Sequence, residues 1–382
     1  MAEPLHVLVA GAGVAGVEAL LALRDLGRDR VRLTLLAPGD EWVSPPLAVG
    51  EPFGAAHAGR YPLGDLVART GARHVRGALE SVDVAGHRVR TDRGEELAYD
   101  ALVLGLGADP QPAFERATTF NPFAPDAVAG LLRDIEEGYV HKLAILVPAE
   151  PHWPLPAYEL ALLTRRQATG MGQDHVEITV VTAEDAPLGL FGPRSSEAVA
   201  EELEAAGVRV ESAAHVELSP GRATTVALGP GGRSFDVDRV LALPRLQPRA
   251  VAGVPADEDG FLAVDEHSRV RGADDVYAAG DGTDFPVKMG GIAAAQADAA
   301  AHHIAHRAGA RDGEPEPFHP ILRGMLMGGE QTRWMRRDLD TPPEHEAVAD
   351  HALWWPPGKI AGRYIAPYVA ALEKAGAQRA AT

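Results

Sequence analysis

Residues 11–16 read GAGVAG and follow directly on the apolar run LHVLVA at 5–10. An apolar run of that length, with no polar face, reads as a buried strand, and residues 17–26, ended by Gly27, read as the helix that follows. Residues 31–36 form a second buried strand, so the chain opens on a βαβ unit with a right-handed crossover. The spacing gives each glycine a physical task. Gly11 permits a tight turn, Gly13 lets the backbone approach a pyrophosphate, and Gly16 lets the helix close on the strand. Val14 and Ala15 open the helix, whose positive N-terminal end faces the negative charge. An acidic residue normally ends the second strand of such a unit and binds ribose hydroxyls. Here that place holds Ala37, then Pro38 and Gly39. Asp40 or Glu41 serves from the loop in one reading, and surface solvation, the favoured reading, accounts for each in the other.

With 382 residues, 46% of them hydrophobic, the chain can bury more than one core, and two or three domains are expected. A formal net charge of −18 sets the surface against phosphate backbones, so no nucleic acid is expected as a partner. Anionic lipid is disfavoured too, unless a local basic or aromatic patch overrides the mean. There is no cysteine, which excludes disulfides, thiolate nucleophiles, iron–sulfur clusters and cysteine-held zinc. No signal peptide is recognised and no apolar run is long enough to span a bilayer, so the expected location is cytoplasmic.

Further along, residues 37–62 are rich in glycine and proline and read as irregular. Residues 82–84, 87–91 and 96–99 alternate like a small antiparallel meander, and 101–104 is again a buried strand. A second α/β block starts near Pro122, with helices at 128–137, 157–166 and 196–206 and strands at 143–147, 176–182 and 240–243.

A second anchor lies at residues 276–284, VYAAGDGTD. Joined to the opening glycine turn, this string resembles the flavoproteins with two dinucleotide-binding domains, the FAD/NAD(P)-binding oxidoreductases. The resemblance implies an α/β fold of two Rossmann-like three-layer domains, the second inserted in the first, plus a small C-terminal region. The layout is then 1–121 and 249–314 for the FAD-binding domain, 122–248 for an NAD(P)-binding-like domain, and 315–382 for a capping or interface region. It implies that Asp281 binds the ribityl chain of FAD and that Gly280 admits the flavin backbone. The string YDALVLGLGADP is similar to a third motif of the family, with Gly107 as the surviving close-approach glycine. In VKMGGIAAAQADAAAHHIA, residues Gly290, Gly291 and Ile292 open a helix whose N-terminus, by resemblance, faces the N1 and C2 edge of the isoalloxazine. A helix dipole there stabilises negative charge on the reduced ring. Lys288 adds a full charge in one reading and is a solvated loop lysine in the other. His302 and His306 have metal-ligand spacing on a helix but no third ligand nearby, so no metal is expected.

The middle block lacks a second glycine turn. After the strand at 143–147 the chain reads PAEPHWPLPAYELA, with prolines in place of glycines and with His152 and Trp153 adding bulk. Conventional NAD(P)H docking is therefore not expected, and an unconventional one stays open. PAYELA and TAEDAPLGLFG resemble the sulfide:quinone reductase and type II NADH dehydrogenase branch, in which the glutamate matching Glu159 lies near the nicotinamide or flavin. Sulfide:quinone reductases relay electrons through cysteines, and this chain has none. The reading is an FAD-dependent oxidoreductase that passes electrons from a small donor to a quinone or other acceptor, with Glu159 and Lys288 as catalytic candidates. Two alternatives are a flavin-binding scaffold or regulatory protein, and an NAD(P)H-dependent electron-carrier reductase.

The C-terminal region after Pro315 is expected to include a helix within 321–337, beyond Gly324. From Ile360, Tyr364, Ile365, Tyr368, Val369 and Leu372 form one helical stripe, with Pro367 a kink or break. Packing of this region against the flavin domain or in a homodimer is expected. Peripheral contact with the inner face of a membrane through Trp354, Trp355, Lys359 and Arg363 is the other reading.

Overall fold

A computed structural model describes residues 3–149, 153–219 and 224–380. Two five-stranded parallel sheets organise it. The first has the order Val276–Ala278, Ala101–Leu104, Leu5–Ala10, Val31–Ala37, Arg73–Arg76. The second repeats that plan with Thr118–Thr119, Arg239–Ala242, Lys142–Leu146, Glu177–Val181, Arg209–Glu211. Their central strands are covered by helices on one face and by small sheets on the other, which is why they read as unbroken apolar runs. Each block also carries a three-stranded antiparallel meander, Leu79–Asp83 to Glu96–Ala98 in the first and His215–Ser219 to Arg233–Val237 in the second. The short pair Ala108–Gln111 and Arg245–Pro248 ties the two places where the chain leaves and re-enters the first block.

Helix Val14–Gly27 packs along helix Gly290–Arg307 behind the first sheet. The second helix presents Ala293, Ala294, Ala297, Ala300, Ala301 and Ala305 to that core. Alanine favours the helix and its methyl is too small to hold the two backbones apart, so sequence-distant segments close tightly on one face of the sheet.

Three local expectations are corrected. The segment 37–62 is ordered: Glu41–Ser44 pairs with Gly59–Pro62, and a 3₁₀ turn, Pro45–Phe53, joins them. Its prolines fix φ for the turn without preventing a short edge hairpin. The helix expected within 321–337 is an antiparallel hairpin, Ile321–Leu326 with Arg333–Asp338. Burial along the first strand alternates strictly, a period of two that the Gly324 break obscured, and Gly324 itself lies where any Cβ would meet Phe191 at 2.7 Å. The C-terminal helix begins at Ile365, so Pro367 sits in its first turn, where a missing N–H costs no helical bond. Its Ile365 and Tyr368 pack into the same core as helix Val14–Gly27. No helix among the described residues is long and apolar enough to cross a membrane.

Candidate flavin site and its far wall

The Gly11 amide donates to the Leu36 carbonyl at 2.9 Å, and close backbone approach leaves the turn no room for side chains. Gly11 has φ +102°, and a Cβ there would lie 2.3 Å from the Gly105 carbonyl oxygen; one on Gly16 would lie 2.0 Å from the Gly11 oxygen. At Gly13 the nearest protein atom to such a Cβ is 3.9 Å away, so the open side of the turn faces the cavity. Gly13 is the N-cap of helix Val14–Gly27 and no side chain caps it, which leaves the first-turn amides for a ligand.

The aspartate strand arrives beside this turn. Val276–Ala278 pairs with Ala101–Leu104, which pairs with Leu5–Ala10, so Gly280 emerges next to Ala15, 3.5 Å from its Cβ by the position of an added Cβ. Gly280 takes φ +89°, and its N–H donates to Oε1 of the fully buried Gln296 at 2.8 Å. Gln296 also contacts the Thr283 hydroxyl, locking the turn before and after Asp281. Burial raises the pKa of Asp281, and the charge of Lys288 pulls it back. Lys288 donates to the Thr283 carbonyl and lies 4.2 Å from the Phe261 ring centre; burial brings its pKa down to about 8 against the pull of Asp281, Asp284 and Asp257. It is a buried cation and not a solvated loop lysine.

One cavity of about 560 Å³ joins these parts. Gly11, Gly13, Val14, Ala15, Gly107, Gly280, Asp281 and Gly290 line it, as do Glu159 and Lys288. Gly16, Gly291 and Ile292 lie behind its wall; Ile292 is core. Glu41 lines the cavity near Leu36, whereas Asp40 is engaged by Arg76. A glycine turn with free amides, a strand-end carboxylate at its side and a helix N-terminus at Gly290 fit a dinucleotide that carries a ring system.

Glu159 stands on the far wall of the cavity, with a partner that the sequence did not reveal. Glu159, buried in helix Leu155–Gly170, is bridged by Lys359, whose Nζ lies 2.5 and 2.6 Å from its two oxygens. Their side chains are 1% and 6% exposed. The Met327 amide donates to Glu159 at 3.0 Å. Burial raises the carboxyl pKa, and the ammonium and the amide pull it down. The Lys359 side chain is therefore inside the protein, a correction to the membrane-contact reading for that residue. Trp354 packs on Trp334, Arg363 pairs with Asp298 and Glu316, and Trp355 stays 86% exposed. A lone lysine in a Pro–Gly loop carries no sequence signal of burial. Gln296 had one, as the single amide on an alanine face.

At the end of the strand Lys142–Leu146 no glycine turn forms. Helix Leu155–Gly170 starts with Pro154 and Pro156, which have no N–H, and the Ala157 amide is spent on the Pro154 carbonyl. Trp153 stands on the cavity wall against Phe191, with ring centres 5.9 Å apart. Glu150, Pro151 and His152 lie outside the described residues. His302 is engaged by Arg363 at 3.0 Å.

The sequence profile of the pyridine nucleotide-disulphide oxidoreductase family matches residues 157–307. The ferredoxin–NAD(+) reductase component of a biphenyl dioxygenase system from Paraburkholderia xenovorans is 28% identical over 304 residues, 75% of this chain and 69% of that protein. The sulfide-quinone reductase of Aquifex aeolicus is 29% identical over 199 residues, 49% of this chain and 45% of that protein. The solved sulfide:quinone oxidoreductase from Aquifex aeolicus superposes with a TM-score of 0.78 at 18% identity, covering 90% of this chain and 86% of that one. Over residues 157–307 the chain thus matches the pyridine nucleotide-disulphide oxidoreductase family, its relatives are oxidoreductases, and it contains no cysteine.

Proposed function

We propose that the protein accepts electrons from a small donor and delivers them to a quinone or another small acceptor without a cysteine relay. The observation that carries this reading is that one cavity runs from the glycine turn and Asp281 to the buried Glu159–Lys359 pair. FAD supplies the reversible electron and hydride chemistry when bound. The chain's residues do the rest. Gly11, Gly13 and the amides of Val14 and Ala15 hold the pyrophosphate, with Gly16 closing the helix on the turn. Asp281 accepts hydrogen bonds from sugar-chain hydroxyls, while Gly107 and Gly280 allow close approach. The helix begun by Gly290, Gly291 and Ile292, with Lys288 beside it, balances negative charge arising on the ring. Lys359 Nζ holds a proton at the far wall, and Glu159 keeps that nitrogen oriented and shares the proton. In this reading the first sheet belongs to the FAD domain, the second to the block inserted into it, and the C-terminal hairpin and loop line the cavity beside Glu159.

Two features speak against conventional NAD(P)H docking: the missing amides at Pro154 and Pro156 and the bulk of Trp153. An electron-carrier reductase is favoured by the ferredoxin–NAD(+) reductase relative and stands as the second reading. Anaerobic mixing of the holoprotein with NADH, NADPH or sulfide, followed by ubiquinone or menaquinone, separates them. The first reading expects a donor to bleach the flavin absorbance and a quinone to restore it. Bleaching by NADH or NADPH that ferredoxin but no quinone reverses supports the second. Failure with every donor contradicts both.

A further inference from the structure

Among the described residues, one cation on the cavity wall has no partner. Arg323 lies in the strand Ile321–Leu326, whose alternation puts Ile321, Arg323 and Met325 on one side and buries Leu322, Gly324 and Leu326 on the other. Arg323 and Met325 line the cavity with Trp153, Leu155, Pro156 and Lys359. The other cations on that lining are answered: Lys359 by Glu159, Lys288 by the Thr283 carbonyl and the charge of Asp281, Arg249 by Asp109 at 2.7 Å. Arg323 is not. Among the described residues its guanidinium makes no hydrogen bond and no ion pair, and its Nε is sealed from solvent. The residue opposite it in the hairpin is Arg336, a second cation that adds repulsion. Burial and that neighbour both bring the pKa of Arg323 down.

A sealed donor without an acceptor is costly, and more so when it is charged. Native proteins rarely carry such a group without a use for it. Apart from the Glu159–Lys359 pair, which answers itself, the residues around it on this wall are apolar: Trp153, Leu155, Pro156 and Met325. A planar guanidinium with two free terminal nitrogens matches an oxyanion in a two-point pair, and the apolar side chains around it favour an organic carboxylate over a strongly hydrated inorganic anion. The pyrophosphate of FAD does not answer it, because the glycine turn at Gly11 and Gly13 takes that charge.

We propose that Arg323 anchors an anion subsite in this cavity, and that its ligand is an organic carboxylate with an apolar body lying against Trp153, Leu155, Pro156 and Met325. Calling this ligand the donor or acceptor rests on the proposed function; its binding does not. The carboxylate makes a two-point contact with Arg323, and the apolar body displaces water from the far wall.

The test is titration of oxidised holoprotein with naphthalene carboxylate and with its neutral carboxamide, followed by calorimetry and by the flavin absorbance. Wild type should bind the carboxylate saturably and the carboxamide at least about tenfold more weakly. Arg323→Gln should lose at least about tenfold in carboxylate affinity, Arg323→Lys should lose less, and carboxamide binding should be alike in all three. Equal binding of acid and amide to wild type overturns the proposal, and so does the absence of saturable carboxylate binding. An Arg323→Gln protein that binds the acid as tightly as wild type overturns it as well. If that variant instead purifies stripped of flavin, the arginine serves the cofactor and the proposal falls. Should the variant not fold, the acid–amide comparison in wild type decides alone. Donors that fail to bleach the flavin would sink the proposed function while leaving this subsite standing; failure to discriminate acid from amide would do the reverse.

Discussion

Lys359 and Glu159, 200 residues apart in the chain, meet inside the protein with the ammonium 2.5 and 2.6 Å from the two carboxylate oxygens. The pair ties the C-terminal loop to the helix that follows the altered second turn. A buried pair of this kind is strongly destabilised when one member is removed, because the other is left as an uncompensated charge, by about 3–5 kcal/mol. Lys359→Met should therefore unfold at markedly lower denaturant. The double variant Lys359→Met/Glu159→Gln should recover part of the loss, since no charge is then stranded. Chemical denaturation of the holoproteins checks this; a double variant no more stable than Lys359→Met would show that the pairing is incidental.

Gly11→Ala should abolish flavin binding while Gly13→Ala weakens it less drastically. The first change puts a Cβ 2.3 Å from the Gly105 oxygen at φ +102°, and backbone must move. The second meets no protein atom closer than 3.9 Å and interferes only with the ligand. The flavin-to-protein ratio after purification, with melting temperature as control for folding, distinguishes the two.

Gln296→Leu removes the acceptor for the Gly280 amide and a partner of the Thr283 hydroxyl, both buried. A loss of about 1–3 kcal/mol is expected. FAD affinity should fall with it, since the loop that presents Asp281 loosens. Thermal melts with and without added FAD read both; unchanged values would mean that the strand and helix position Asp281 without it.

Glu18 predicts a pH effect. Its carboxyl is buried in helix Val14–Gly27 and accepts the Tyr364 and Ile365 amides at 3.0 and 2.5 Å, capping the C-terminal helix. Burial lifts its pKa to about 8 from 4.5, with Asp298 adding to the rise and the amide hydrogen bonds opposing it. A carboxyl whose pKa is raised on folding contributes stability in full below 4.5, and that contribution is lost as pH climbs through about 8. Wild type should lose stability from about pH 5 to about pH 9 relative to Glu18→Gln, so the gap between them changes steadily across that window. Denaturation midpoints that run parallel across it would contradict the assignment.

Much of this fold is legible in the chain because its signals are local. The strand at Leu5–Ala10 and the strand at Ala101–Leu104 fall where the apolar runs put them, and the helix ends near Gly27 and Gly207 follow from glycine. That Gly13 and Asp281 line one cavity was implied by the resemblance of the two strings to the flavoprotein family. What escaped depends on tertiary context. The alternation of Ile321–Leu326 was masked by Gly324, whose small size answers to Phe191, a residue far away in sequence. Lys359 and Arg323 look like ordinary surface cations in one dimension. Only the docking of the C-terminal loop and hairpin over the cavity makes one a buried ion-pair partner and leaves the other unanswered.

The most direct measurement is reconstitution: apoprotein titrated with FAD and followed by flavin absorbance and calorimetry, for wild type and Asp281→Ala. The account predicts saturation at one FAD per chain for wild type and loss of most binding for Asp281→Ala. A wild-type protein that stays colourless in excess FAD, or an Asp281→Ala protein that takes up flavin as readily as wild type, would contradict it.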